Sequence, residues 1–216
     1  MCTMTRCATA AFLLAVTIML AACGPPRDAV TQPANDVSED SGLEVATFAG
    51  GCFWCMEPPF EKLDGVETVV SGYIGGEGDN PNYHTYGEMG YIEAVRITYD
   101  PEQVSYEELL DIFWRQIDPT DPDGQFVDRG PEYRSAIFYH DEEQKRLAEE
   151  SKQELDETGP FEEPIVTEIL PATTFYNAEA YHQDYYKERP LRYKVYRSGS
   201  GRDDFLDGAW GQDRPK

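Results

Sequence analysis

The 216-residue chain is short of basic side chains: 18 Lys and Arg stand against 41 Asp and Glu, a formal charge of −23. Nucleic-acid binding depends on cations that displace condensed counterions, so no nucleic-acid partner is expected. Anionic lipid headgroups would be repelled for the same reason. So much acid fits a solvated, salt-tolerant surface better than an acidic binding site.

A long apolar run is lacking too. The stretch from Ala8 to Ala22 follows a single charge, Arg6, and falls short of the about 20 apolar residues that span a bilayer. It ends in Leu20-Ala21-Ala22-Cys23, the pattern of a lipoprotein signal, in which small residues admit the peptidase and the Cys23 thiol takes a lipid. The alternative is an ordinary cleaved signal with an incidental cysteine. Residues 1–22 are therefore expected to be removed, and residues 23–43, rich in Pro, Asp, Ser and Asn, to form a lipidated flexible linker. The protein is expected to be exported and attached to a membrane by that lipid alone, on the periplasmic face. Gly24 after the lipid cysteine, in place of Asp, points to the outer membrane if the cell is Gram-negative.

Cysteine is scarcest of all. Of five in the chain, Cys2 and Cys7 leave with the signal and Cys23 is consumed, so the mature domain keeps Cys52 and Cys55. Any intramolecular disulfide there joins those two. A zinc or iron–sulfur site would ordinarily need a second Cys pair, and His84, His140 and His182 are scattered singly, so no metal and no bound cofactor are expected. A structural staple across so small a loop would remove little entropy from the unfolded chain. Residues three apart on a helical turn nevertheless have Cα atoms roughly 5 Å apart, within disulfide range. A bond that can form yet stabilises little suits redox cycling. Gly50-Gly51 closes an alternating strand, "LEVATFAGG", and would set Cys52 at a helix N-terminus, where free N–H groups and the dipole favour thiolate. The residues alone thus indicate a redox-active pair, with a general thiol–disulfide oxidoreductase and a metal-binding lipoprotein as alternatives.

The rest of the chain reads as one α+β domain over residues 44–210. Helical spacing marks "CFWCMEPPFEKL", with a kink or restart at Pro58-Pro59, and "SYEELLDIFWRQID", with Ser105 and Glu108 as a capping box. "DEEQKRLAEESKQELDETG" is a charged helix capped by Asp141 and ended by Gly159, and "NAEAYHQDYYKERP" is a last helix candidate. Strands alternate at "GVETVVSGYIGG", "IEAVRITYD", "RSAIFYH" and "PIVTEIL". The order β-α-β-β-α-β-α-β-α predicts a ferredoxin-like plait: a mixed or antiparallel sheet with helices packed on it. An irregular Gly-rich C-terminal tail follows, residues 211–216 lying outside the domain.

The string "GGCFWCMEPPFEKLDGVETVVSGYIGG" resembles the peptide methionine sulfoxide reductases of type A, whose signature is Gly-Cys-Phe-Trp. The resemblance continues through "NPNY", "EAVRITYDP", "LLDIFWRQIDPTDPDGQFVDRGPEYRSAIFY" and "FYNAEAYHQDYY". It implies an oxidoreductase acting on the S epimer of methionine sulfoxide, as free amino acid or in oxidised proteins, and recycled by a thioredoxin-type donor. By position, Cys52 matches the nucleophile, and Phe53 and Trp54 the aromatic pair that receives the substrate methyl. Glu93 matches the buried proton donor, Tyr83 and Tyr133 the hydroxyls that polarise the oxygen, and Asp128 a substrate-contacting acid. Without that context Glu93 could face outward, Asp128 form a turn, and any one of fourteen tyrosines simply pack. Glu179 and His182 carry no expected role beyond shaping the site.

Two departures stand out. "HTYGEMGYI", between Tyr83 and Glu93, is shorter than in many relatives, with Tyr91 where histidine is common, which alters the wall of the pocket. Many relatives also keep recycling cysteines in the C-terminal tail, and "RSGSGRDDFLDGAWGQDRPK" has none, so within this resemblance Cys55 is the expected resolving thiol. A monomer is expected.

Overall fold

The computed structural model describes residues 41–211; the signal sequence, Cys23, most of the linker and residues 212–216 fall outside the described residues. Six strands make one sheet. Its centre is built from β1 (Glu44–Gly50), β2 (Val66–Ile74), β3 (Ile92–Tyr99) and β6 (Ser135–Tyr139), in the order β6-β1-β3-β2 with every neighbour antiparallel. Helix α1 (Phe53–Glu61) connects β1 to β2, and α2 (Tyr106–Trp114) lies between β3 and β6. This is the expected plait.

Two edge strands are additions: β7 (Glu168–Pro171) runs parallel to β6, and β8 (Tyr176–Asn177) pairs with β2. A small hairpin of β4 (Gly124–Gln125) and β5 (Asp128–Arg129) stands apart from the sheet. Helix α3 (Glu142–Thr158) begins where Asp141 accepts a hydrogen bond from the Gln144 N–H at 2.8 Å. The predicted box at α2 is present in both directions: Glu108 N–H donates to Ser105 Oγ, and Ser105 N–H to Glu108 Oε2.

The main core lies between the sheet and helices α1 and α2. Phe48 of β1 stacks on Phe60 of α1 and Phe113 of α2, with centroids 5.5 and 4.9 Å away. Side chains alternate along β3, so Glu93, Val95 and Ile97 face this helical side, while Ile92 and Ala94 join a smaller cluster on the opposite face. Glu93 is therefore directed beneath α1, while its neighbours Ile92 and Ala94 are buried on the opposite face of the sheet.

Two local expectations need correction. Helix α1 runs unbroken from Phe53 to Glu61 with Pro58 and Pro59 inside it. Each proline lacks an N–H, so the carbonyls four residues back, on Trp54 and Cys55, lose their helical donors. A side chain replaces one of them: Arg197 Nη1 donates to the Cys55 carbonyl at 3.2 Å.

The C-terminal stretch is helical as well, not an irregular tail. Of the last helix candidate, residues 177–190, only α4 (Tyr185–Glu188) is helical before α5 (Pro190–Gly199) begins at its end, and α6 (Arg202–Trp210) follows. Gly201, at φ +80°, makes the left-handed turn between α5 and α6. The glycines here delimit helices, and buried Arg197, Arg202 and Leu206 tie them to the body.

Candidate active site

The turn from β1 into α1 creates the site. Gly51 has φ +77°, and a Cβ there would come within 2.6 Å of Gln125, so both the conformation and the space demand glycine. Cys52 follows as the N-cap of α1, 7 % exposed, and Cys55 lies one turn on, 1 % exposed. Cys55 N–H donates to the Cys52 carbonyl at 2.9 Å. Both thiols are free and hydrogen-bond each other.

The N-terminal amide of the helix goes elsewhere than the sequence suggests. Phe53 N–H donates to Glu93 Oε2 at 3.1 Å, not to sulfur. Glu93 is 2 % exposed, and its other oxygen accepts from Tyr86 Oη at 2.8 Å. Burial raises its pKa to about 8, against the pull of these two donors. The carboxyl is thus largely protonated at neutral pH, beside the thiol pair.

Protonation of the pair also departs from the expectation of a Cys52 thiolate. Burial, the hydrogen bond with Cys55 and the nearby Glu93 charge all push Cys52 upward. Cys55 is lowered to about 6 by the Cys52 hydrogen bond and then by Arg202 and Arg197. Both directions favour the pair's shared proton on Cys52.

Aromatic side chains wall the pocket. Phe53 is buried, its ring 6.0 Å from Tyr73 and 5.0 Å from His182. Trp54 lies flat on Tyr185, with centroids 3.7 Å apart, and its indole N–H donates to His182 Nδ1 at 3.0 Å. An acceptor at Nδ1 is a neutral imidazole with its proton on Nε2, and burial, lowering the His182 pKa to about 4, keeps it so. Glu179 accepts from Tyr73 Oη and from the Tyr83 N–H, both at 2.9 Å. His182 and Glu179 thus shape the site, as expected.

The structure redistributes the tyrosines. Tyr83 is 39 % exposed, its backbone held by Glu179 and its ring over His182 at 4.7 Å. The hydroxyl on Glu93 is that of Tyr86, three residues later, and Tyr86 Oη also lies 3.3 Å from Tyr133 Oη. The cause is the turn begun by Asn82, whose carbonyl accepts from the N–H groups of Thr85 and Tyr86 and swings Tyr86 inward. Tyr133 is where the sequence places it, Tyr83 lies at the rim, and Tyr86 was missed.

Asp128, on β5, accepts a short hydrogen bond from Tyr196 of α5, and burial raises its pKa. The Tyr196 hydroxyl also bonds Cys52, linking the acid to the sulfur. Tyr196, Arg197 and Arg202 escaped the sequence reading. Their signals were a cluster of basic and aromatic residues in a very acidic chain, and two prolines whose lost N–H groups left carbonyls in need of donors.

The family model for peptide methionine sulfoxide reductase matches residues 44–214. The chain is 57 % identical to the peptide methionine sulfoxide reductase MsrA of Halalkalibacterium halodurans, over 79 % of this chain and 98 % of that protein. It is likewise 57 % identical to MsrA of Bacillus subtilis, over 78 % of this chain and 96 % of the other. This chain belongs to the peptide methionine sulfoxide reductase family. It is a peptide-methionine (S)-S-oxide reductase.

Solved structures of the family agree in fold. Methionine sulfoxide reductase A of Corynebacterium diphtheriae superposes with a TM-score of 0.62 at 33 % identity, over 70 % of this chain and 77 % of that one. Reduced Mxr1 of Saccharomyces cerevisiae gives 0.64 at 32 % identity, over 69 % and 87 %. The reductase domain is a mixed α/β unit around one sheet, as the sequence predicts.

Proposed function

We propose that this reductase acts on the S sulfoxide of methionine, free or in proteins, through a sulfenic acid on Cys52 and a Cys52–Cys55 disulfide. The observation that carries the proposal is a buried Glu93, held by the Phe53 N–H and Tyr86 beside Cys52, where burial favours its protonated form. Cys52 attacks the sulfoxide sulfur while Glu93 gives its proton to the oxygen and Tyr86 and Tyr133 hold it. The protonated oxygen then passes to Cys52 as its bond to the substrate sulfur and the bond between the two sulfurs break, which releases methionine and leaves a sulfenic acid. Phe53 and Trp54 receive the methyl group, Tyr83 closes the rim, and Asp128 contacts the substrate backbone.

Cys55 then displaces the sulfenic oxygen, forming the disulfide and one water. A dithiol donor of the thioredoxin type supplies two electrons and restores both thiols. The reading is supported by there being no other cysteine between Cys23 and the end of the sequence.

We also propose the expected processing: a signal over 1–22, lipid on Cys23, a linker to 43, the catalytic domain over 44–210 and a tail over 211–216. Its support is the Leu20-Ala21-Ala22-Cys23 pattern. The enzyme would then repair oxidised exported proteins from a membrane surface, drawing electrons from a periplasmic thioredoxin-like domain.

The decisive experiment is reduction of the separated sulfoxide epimers with dithiothreitol. Loss of the S epimer alone is expected; loss of neither epimer, with reduction of disulfide substrates instead, would indicate a general thiol oxidoreductase. Palmitate labelling should mark the full chain and not Cys23→Ser, and equal labelling of both would remove the anchor.

A further inference from the structure

Arg202 carries a charge without an ordinary counter-ion. Its side chain is fully buried, yet its guanidinium donates to backbone carbonyls, from Nη2 to Gly50 at 2.9 Å and from Nη1 to Gln116 at 2.6 Å. It also lies 3.6 Å from Met56 Sδ and over the Phe126 ring, and Nε has no partner. Among the described residues no carboxylate forms an ion pair with it. A buried cation in that situation requires an anion nearby.

Arg197 points to where that anion lies. Asp203 holds its Nε at 2.9 Å, Gln116 accepts from Nη2 at 3.4 Å, and Nη1 reaches the Cys55 carbonyl freed by Pro59. The same guanidinium is close enough to the Cys55 side chain to lower its pKa. Two cations from α5 and α6 therefore face the thiol pair, both acting on Cys55 and Arg202 on Cys52 as well. The other titratable groups facing Cys55 are Cys52, Glu93, Tyr193 and Tyr196, each neutral at pH 7 in this setting. Asp203 pairs with Arg197 and Asp128 of β5 acts on Arg202, while Cys55 is the group on which both arginines act together.

We infer that Arg197 and Arg202 are positioning residues that keep Cys55 as the resting thiolate, base for Cys52 in the first step and expelled sulfur in the last. The inference rests on the Cys52–Cys55 cycle proposed above. As Cys52 bonds to the sulfoxide sulfur, its S–H proton passes to the Cys55 thiolate, and Glu93 protonates the oxygen. Cys55, now a thiol, attacks the Cys52 sulfenic acid; the S–S bond forms, the S–O bond breaks, and the Cys55 proton leaves with hydroxide as water. A donor dithiol then attacks Cys52, the more exposed residue at 7 % against 1 %, and Cys55 departs with its electron pair as thiolate. The sulfur of lower pKa leaves faster, which matches this direction of attack.

The test follows thiolate absorbance near 240 nm against pH in the reduced full-length protein. The wild type should gain one thiolate with a midpoint near 6. Cys52→Ser should retain absorbance at pH 7 and Cys55→Ser should lose it. Arg197→Met should raise the midpoint by at least about one unit, with Arg197→Lys restoring part of the shift. Asp203→Asn frees the guanidinium from a competing anion and should lower it. In Arg197→Met, dithiol-driven turnover should fall about tenfold, a loss that Arg197→Lys partly reverses.

No titration below the usual thiol range, absorbance lost in Cys52→Ser instead, or a rise in both Arg197→Met and Asp203→Asn would overturn the inference. The last pattern would indicate loosened packing. The underlying cycle is tested apart from this, by mapping the disulfide formed after one turnover of the wild type. If no Cys52–Cys55 bond forms, the cycle fails whatever the titration shows.

Discussion

The turn that carries both sulfurs separates two opposite environments. On the side of Cys52 stand Glu93, Tyr86, Tyr133 and, through Tyr196, Asp128: groups that hold or deliver protons. Behind Cys55 stand Arg197 and Arg202, cations that cannot release them. Two thiols one helical turn apart are thereby made chemically unequal, by carboxyl and tyrosine groups on one side and the arginines of the C-terminal helices on the other. Neither sulfur's identity suffices to explain its behaviour; the neighbours assign the parts.

Breaking each side in turn should give effects of descending size. Cys52→Ser should abolish methionine formation, by more than about 10³-fold, whereas Cys55→Ser should still release about one methionine per enzyme and then stop. Methionine counted in a single-turnover assay checks both, and sustained thioredoxin-driven turnover by Cys55→Ser would remove its resolving role.

Glu93→Gln should lower the rate of that first release by about 10²–10⁴-fold, the usual worth of a positioned acid. Wild-type rates should fall above about pH 8, where Glu93 loses its proton, and the variant should lack that limb. Stability provides a second reading. Because the folded pKa lies above the ordinary 4.5, the folded state keeps a proton that the unfolded chain loses, so this group's contribution declines as pH rises from 4.5 to about 8. Thermal unfolding at pH 5 and pH 8 should show Glu93→Gln gaining on the wild type at the higher pH.

The smallest effects sharpen the wall of the pocket. Tyr86→Phe removes a hydroxyl from Glu93 and should cost about 3–10-fold in kcat/KM, the worth of one hydrogen bond. Tyr83→Phe, at the rim, should cost less than about 3-fold. The reverse order would return the oxygen-holding role to Tyr83.

Legibility followed the range of the forces involved. The plait was readable because alternation, caps and turn glycines are local signals, and strand order follows from connecting them. Cys52, Phe53, Trp54, Glu93 and Tyr133 were readable because motif and backbone fix them within short segments. Tyr86 was not, since the Asn82 turn that rotates it inward cannot be told from sequence spacing. Arg197 and Arg202 were missed because helices α5 and α6 are anchored by buried charge, which leaves little hydrophobic pattern. The proton's place in the thiol pair was beyond reach for the same reason: it depends on cations that only tertiary structure brings near.

Pro59 deprives the Cys55 carbonyl of its helical donor, and the substitute lies 142 residues further along. A ribosome making the chain from its N-terminus therefore finishes the cysteines long before it makes the arginines. Until synthesis has passed Arg202, neither arginine can take its place beside the pair. On the inference that these arginines hold Cys55 as a thiolate, the pair receives its final setting from the last part of the domain to be made.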